Sequence, residues 1–238
     1  MDFSRFKALT FDCYGTLIDW EDGIGSRLAS WAQGQGLNPD REELLAAFGR
    51  IEPRAQEEHP SEPYRQILHR VFAALADELQ RPVSEAELDA FGGSVGDWPA
   101  FPDSAAALAR LKKRFHLVVV SNVDRASFAE SNEKLGAPFS AVVTAEEVGA
   151  YKPDHRMFHR AFAVLLSLGV EREEILHVAQ SLYHDHVPAK ALGLSTVWVD
   201  RRAGREGGAT FPPESDVKPD LTVGSLAELA NLAVPAAS

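Results

Sequence analysis

Five short apolar runs, at 8–11, 117–121, 141–144, 175–179 and 195–199, are spaced along the chain with helical patterns between them. Runs this short, bounded by turn-forming residues, are expected as strands covered on both faces rather than as buried helices. One helix is predicted to open at Asp124 and Arg125 and to stop at Gly136. A second opens at Asp154, behind Pro153, and stops at Gly169. A third, short one opens at Asp185, tolerates Pro188 near its first turn and ends at Gly193. This alternation of strand and helix implies an α/β fold, a parallel sheet with helices on both faces.

Residues 19–98 break the rhythm. They carry helical patterns at 23–35, 41–48, 64–79 and 84–91 and no convincing strand. The expected organisation is a core of 1–18 and 99–238 with a helical cap, 19–98, inserted after the first strand. The segments "DWE" and "DWPAFPD" would be its hinges, the second stiffened by Pro99 and Pro102. Trp20 and Trp98 sit at these hinges, where they can wall an apolar pocket or anchor the cap by packing.

Ligands of a doubly wound sheet bind at the carboxyl ends of its strands. Asp12 follows the first run directly and precedes a Gly-Thr turn, while Ser121 and Asn122 close the second run. Lys152 follows the third run through "AEEVGAYKPD", and the stretch from Gln180 to Asp185 follows the fourth. A carboxylate held by backbone N–H groups at a strand end stays ionised and can act as a nucleophile. Ser121 and Asn122 stand where an anion would meet the N-terminus of the next helix.

Acidic residues outnumber basic ones by 35 to 24, a net charge of −11, which argues against a nucleic-acid or anionic-membrane surface. No window is long and apolar enough for a transmembrane helix, and "MDFSRFKALTF" lacks the apolar stretch of a signal peptide. The single Cys13 rules out an internal disulfide. Together these suggest a cytoplasmic protein.

The motifs resemble those of the haloacid dehalogenase superfamily. "FDCYGTL" matches its first, "VVVSN" its second, "YKPD" its third and "SLYHDHVPAKALGL" its fourth. The resemblance implies a Rossmann-like core and a nucleophile, Asp12, that forms a covalent ester with substrate. Thr16 would fix the loop and bond the carboxylate, and Lys152 would orient Asp12. Asp185 would position or activate the hydrolytic water.

Tyr14 narrows the chemistry. Phosphatases of the superfamily carry a second aspartate there, which protonates the leaving alcohol, and they bind magnesium. A phenol titrates near ~10 and cannot replace that acid at neutral pH. "D-x-Y-G-T" resembles the (S)-2-haloacid dehalogenase branch, where the nucleophile attacks carbon and a halide leaves without a proton. That branch needs no metal or other cofactor.

The implied reaction is attack of Asp12 on C2 of a small 2-substituted carboxylic acid, with inversion, then hydrolysis of the ester to a 2-hydroxy acid. Ser121 would hold the substrate carboxylate, and Trp20 would wall the pocket. Arg50 from the cap would cradle the leaving anion with Asn122, with Arg54 as competitor. Phe158 stands where dehalogenases usually have tyrosine, and "AQSLYHDH" runs one residue longer than their fourth motif. That segment looks closer to superfamily hydrolases that open the ring of azetidine-2-carboxylate. Their departing amine needs a proton, for which Tyr183, His184 and His186 are candidates. A zinc site at His184 and His186, with His177 upstream, lacks a third ligand at convincing spacing. A magnesium-dependent phosphatase or phosphonatase and a non-catalytic binding protein remain the alternatives. Many relatives pair through the cap, so a homodimer is the assembly the resemblance suggests.

Overall fold

The computed structural model describes residues 1–136, 139–204, 208–210, 212 and 216–235. The core span 99–238 expected from sequence includes the remaining residues, which lie outside the described set. β1 (Ala8–Phe11) is followed by α1 (Trp20–Gly34), α2 (Arg41–Glu58), α3 (Tyr64–Glu78) and α4 (Glu85–Gly92). Then come α5 (Ser104–Leu111), β2 (His116–Ser121), α6 (Arg125–Leu135), β3 (Ala141–Thr144), α7 (Ala145–Val148), α8 (His155–Ser167) and β4 (Ile175–Ala179). α9 (Val187–Ala191), β5 (Ser195–Val199), β6 (Leu221–Val223) and α10 (Leu226–Ala233) complete the fold.

The strands form one six-stranded parallel sheet in the order β3-β2-β1-β4-β5-β6. β1 is central, every one of its residues is buried, and it pairs with β2 on one side and β4 on the other. Each large apolar side chain buried here contributes roughly 1.5–3 kcal/mol, so the middle of the sheet is the most firmly held part of the molecule. Its carboxyl edge, where the chain reverses direction between β2 and β4, is where the candidate groups collect. No helix among the described residues is long and apolar enough to cross a membrane.

The five expected strands form, His116 extending the second by one residue. β6 was not foreseen: three residues, one of them exposed, carry no periodic signal, and the strand exists through its pairing with β5. Asp124 and Asp154 cap α6 and α8 through the backbone N–H groups of Ser127 and Arg156, both at 2.8 Å. Gly136, at φ +54°, ends α6 in the left-handed conformation expected of it.

Two bounds of α1–α4 differ from expectation by more than one residue. α1 starts at Trp20 rather than Gly23, because the Asp19 carboxylate accepts from Asp22 N at 3.1 Å. α2 continues past Phe48 to Glu58, with Pro53 inside it. Gly49 does not break this helix but lets it pass the chain at Ala209: a Cβ there would lie 2.4 Å from the Ala209 carbonyl oxygen. The insertion leaves and rejoins the core through paired backbone, Asp19 N donating to Pro99 O at 2.7 Å and Phe101 N to Leu17 O at 3.1 Å. Trp98 is fully buried, its ring packed against Gly23 and its Nε1 donating to Ser94 Oγ at 3.2 Å, so it anchors this junction.

Candidate active site

Asp12 N donates to Val178 O at 3.1 Å, carrying the sheet pairing one residue beyond β1 and holding Asp12 at the sheet edge. The next turn is tight: Leu17 N and Ile18 N both donate to Cys13 O, at 2.7 and 3.0 Å, and Gly15 has φ +93°. A side chain at Gly15 would be strained and would press within 3.0 Å of Trp20 Nε1, so this turn requires glycine. It delivers Thr16 back to Asp12, where Thr16 Oγ1 donates to Asp12 Oδ2 at 2.6 Å and accepts from Gln180 N at 2.9 Å. Arg201 fixes the loop from behind, donating to Thr16 O at 2.8 and 3.1 Å while paired with Asp103 at 2.9 Å.

Lys152 is fully enclosed, its Nζ 2.8 Å from Asp12 Oδ1 and 2.8 Å from Asp185 Oδ1. The Asp12 carboxylate is thus held by two side chains, Thr16 and Lys152, rather than by the backbone N–H groups expected from sequence. Asp185 lies in a π-helical turn, Leu182–His186, that precedes α9. The expectation that Asp185 opens that helix is corrected: α9 starts at Val187 behind His186, Ser181 caps the π-helical turn, its Oγ accepting from His184 N at 3.0 Å, and Asp185 turns inward. Asp185 Oδ1 also bonds His177 Nε2 at 3.1 Å, and His177 Nδ1 meets Thr10 Oγ1 at 2.9 Å. The ionised Asp185 carboxylate can only accept, which assigns a proton to Nε2. Asp185 Oδ2 is buried and has no partner among the described residues.

Burial pushes the Asp12 carboxyl above its usual range, and Lys152 opposes that rise. Burial would raise Asp185 too, but the Lys152 charge and the His177 hydrogen bond outweigh it and hold Asp185 well below the carboxylate range. For Lys152, burial works against its charge and the two carboxylates more than compensate, so it stays protonated.

Over Asp12 lies a small cavity of about 40 Å³, which Lys152, Asp185, Asn122 and His184 line from the core and Trp20, Glu52, Gln56 and Tyr64 from the insertion. Tyr14 contributes ring surface only, because its hydroxyl is turned away to Ser131 Oγ, 2.9 Å, and Ser127 O, 3.3 Å. Burial lifts its phenol well above the ordinary value, in keeping with the reading that it supplies no acid. Trp20 lines the cavity as expected and stacks edge-on against Phe48 of α2, centroids 5.9 Å apart.

Arg50 does not reach this cavity. It is ion-paired with Glu78 at 2.6 Å and, with Arg54, lines an adjoining outer cavity of about 500 Å³. Residues two apart on a helix point about 200° apart, so a register that turns Glu52 toward Asp12 turns Arg50 and Arg54 away. Asn122 lines the inner cavity but has no hydrogens left for an anion. Its Nδ2 donates to Lys152 O at 3.1 Å and Gln56 Oε1 at 3.4 Å, and its Oδ1 accepts from Lys152 N at 2.7 Å.

Ser121 ends β2 fully buried; it is not part of the cavity wall, and its Oγ has no partner among the described residues. Tyr183 lines the outer cavity, its ring against that of His184. His184 lines both cavities. Its Nδ1 is 3.2 Å from Ser181 Oγ, and its Nε2 has no partner among the described residues. When the Ser181 hydroxyl donates to Nδ1, the ring proton lies on Nε2, which no described residue uses. Burial lowers His184 and His186 to about 4, so both are neutral at pH 7 and neither is a cationic proton donor. His186 also bonds Ala179 O through Nε2, 3.0 Å, and lies off the cavity. Phe158 packs edge-on against His177, centroids 5.1 Å apart.

Sequence reasoning missed Glu52, Gln56, Tyr64 and Arg201. A signal for Glu52 existed: it follows Phe48 by four residues, on the apolar face that carries Leu44, Leu45 and Phe48, and an acid on such a face is unusual. Glu52 is 3% exposed, and burial pushes its carboxyl up to about 7.

Residues 6–193 match the family of haloacid dehalogenase-like hydrolases. The chain is 30% identical over 234 residues to phosphoserine phosphatase of Thermus thermophilus, covering 95% of this chain and 84% of that protein. It is 25% identical over 241 residues to (S)-2-haloacid dehalogenase of Pseudomonas putida, covering 95% and 96%. Its fold matches that of L-2-haloacid dehalogenase from Xanthobacter autotrophicus with a TM-score of 0.77 at 21% identity, over 98% of this chain and 100% of the other.

Proposed function

Because the chain belongs to the haloacid dehalogenase-like hydrolases, we propose that it hydrolyses small 2-substituted carboxylic acids at C2 through an aspartyl ester, without a metal. The observation that carries this reading is the nucleophile's setting. Asp12 is gripped by Thr16 and Lys152, while the residue two positions on, Tyr14, directs its hydroxyl away from the cavity. Such a site has a nucleophile without an acid at the position two residues on, which suits substitution at carbon.

In this reading an Asp12 oxygen attacks C2 from the face opposite the leaving group, inverting the carbon. The substrate carboxylate rests against His184, whose Nε2 is unspent by the described residues. Water held by Asp185 Oδ2 then attacks the ester carbonyl and releases a 2-hydroxy acid, restoring Asp12. The helical insertion serves as the cap that closes over the substrate.

The Thermus thermophilus relative raises a second reading, phosphate-ester hydrolysis with magnesium. The residues present fit that ion poorly. Both Asp12 oxygens and Asp185 Oδ1 already take protein hydrogen bonds, which leaves Asp185 Oδ2 as the unengaged carboxylate oxygen of the pair.

The test is product formation from (S)-2-chloropropionate and (S)-azetidine-2-carboxylate with EDTA throughout, together with a single turnover in H₂¹⁸O. Attack through an ester puts label into Asp12, and Asp12→Asn abolishes turnover. Activity confined to phosphate esters plus magnesium would overturn the proposal.

A further inference from the structure

Lys152 serves both carboxylates of the site, so any change to it disturbs Asp12 and Asp185 together. A second buried side chain touches only one of them. His177 lies in the middle of β4, fully enclosed, and its Nε2 meets Asp185 Oδ1 at 3.1 Å. Among the described residues its ring bonds two partners, Asp185 and Thr10, and neither Asp12 nor Thr16 is one of them.

The strand around His177 is otherwise apolar, Ile175, Leu176, Val178 and Ala179, all buried. An imidazole in such a place is costly unless both ring nitrogens are paired, and both are. Thr10 stands directly opposite on β1, with its Oγ1 2.9 Å from Nδ1. In the neutral ring with its proton on Nε2, Nδ1 accepts and the Thr10 hydroxyl donates. Phe158 of α8 closes against the ring edge-on, centroids 5.1 Å apart, so the imidazole is fixed by packing as well as by hydrogen bonds.

These bonds divide the Asp185 carboxylate. Oδ1 receives both Lys152 and His177, while Oδ2 has no partner among the described residues. Two donors reaching one oxygen from different elements fix the rotation of the carboxylate, and with it the place of Oδ2.

We propose that His177 is a positioning residue for the second half of the reaction. By holding Asp185 Oδ1 it aims Oδ2 at the water that cleaves the aspartyl ester, and it takes no part in forming that ester. The inference rests on the aspartyl-ester reading above. In this step the water oxygen bonds the ester carbonyl carbon of Asp12, and the bond from that carbon to the product oxygen breaks. One water proton passes through Asp185 Oδ2 to the departing 2-hydroxy oxygen, and the other leaves to solvent as Asp12 regains its charge. Lys152 and Thr16 hold Asp12 without help from the imidazole, so attack at C2 is independent of it.

The experiment compares His177→Phe and His177→Gln with the native protein, on whichever of (S)-2-chloropropionate and (S)-azetidine-2-carboxylate the native protein turns over. In a two-step reaction kcat/KM reports ester formation, whereas kcat also falls when ester hydrolysis slows. His177→Phe is expected to lower kcat roughly 100-fold and to leave kcat/KM within about threefold, so that KM falls with kcat. Mass spectrometry of the quenched variant should find the ester on the peptide that carries Asp12. In His177→Gln a side-chain amide N–H can take the place of Nε2–H, and kcat should return to within about tenfold of native. Should His177→Phe fail to fold, Thr10→Val removes only the Nδ1 partner and is expected to lower kcat by roughly 3–10-fold at unchanged kcat/KM. Parallel loss of kcat and kcat/KM, an unmoved kcat, absence of the trapped ester, or no recovery in His177→Gln would overturn the proposal while leaving the ester reading standing. A native protein that turns over neither acid would overturn both.

Discussion

Asn122 clips Lys152 through both of that residue's backbone polar groups, accepting from its N–H at 2.7 Å and donating to its C=O at 3.1 Å. The side chain expected to hold a leaving anion instead fixes the loop that carries the site's lysine. Asn122→Ala should therefore lower kcat by roughly 10–100-fold with a smaller change in KM. Loss of two hydrogen bonds should cost about 1–3 kcal/mol in urea unfolding. An increase in KM alone, with kcat intact, would return Asn122 to a binding role.

Lys152 is the cation between two buried carboxylates. Its replacement by methionine leaves like charges facing each other, and one of them must take up a proton. Stability should fall by about 3–5 kcal/mol. Turnover should fall roughly 100-fold or more, because Asp12, already raised by burial, loses the charge that opposes the rise. The acid limb of any residual pH–rate profile should move to higher pH. An unmoved limb would mean that Lys152 does not govern Asp12.

Arg50 forms a half-exposed ion pair with Glu78 on the outer side of α2, with 48% and 49% of the two side chains exposed. Arg50→Ala should change kcat/KM less than about threefold and cost less than ~1 kcal/mol. A loss of 100-fold in turnover would show that Arg50 reaches the substrate after all.

Glu52 gives the folded protein a pH signature. Burial pushes its carboxyl from the ordinary 4.5 up to about 7. Between these values the native state holds a proton that the unfolded chain has released, so this contribution to stability is full below pH 4.5 and is lost as pH rises through 7. The loss is about 3 kcal/mol at most. Glu52→Gln cannot titrate, so its stability relative to the native protein should climb by up to that amount from pH 5 to pH 8. Urea midpoints at four pH values measure the difference, and a flat curve would show that Glu52 ionises normally in the folded protein.

By itself the sequence determined what is local. Four or five apolar residues followed at once by Asp12, or by Ser121-Asn122, specify a buried strand with polar groups at its end, because side-chain period and chain direction are written in adjacent residues. The parallel order of the sheet then brings Asp12, Lys152 and Asp185 to one edge, and the four motifs that mark the family lie on those same strand ends.

Only the tertiary structure decided how the helices between β1 and β2 meet that edge. On α2, Arg50, Glu52 and Arg54 are equally polar letters, and the helix's rotation against Trp20 and Asn122 selects the carboxylate and turns both arginines outward. It also set Ser181 as the cap of the π-helical turn, with Asp185 inside that turn, and made a strand of Leu221–Val223 beside β5. In each case several arrangements satisfy the local chemistry, and burial together with hydrogen bonding to residues distant in the chain separates them.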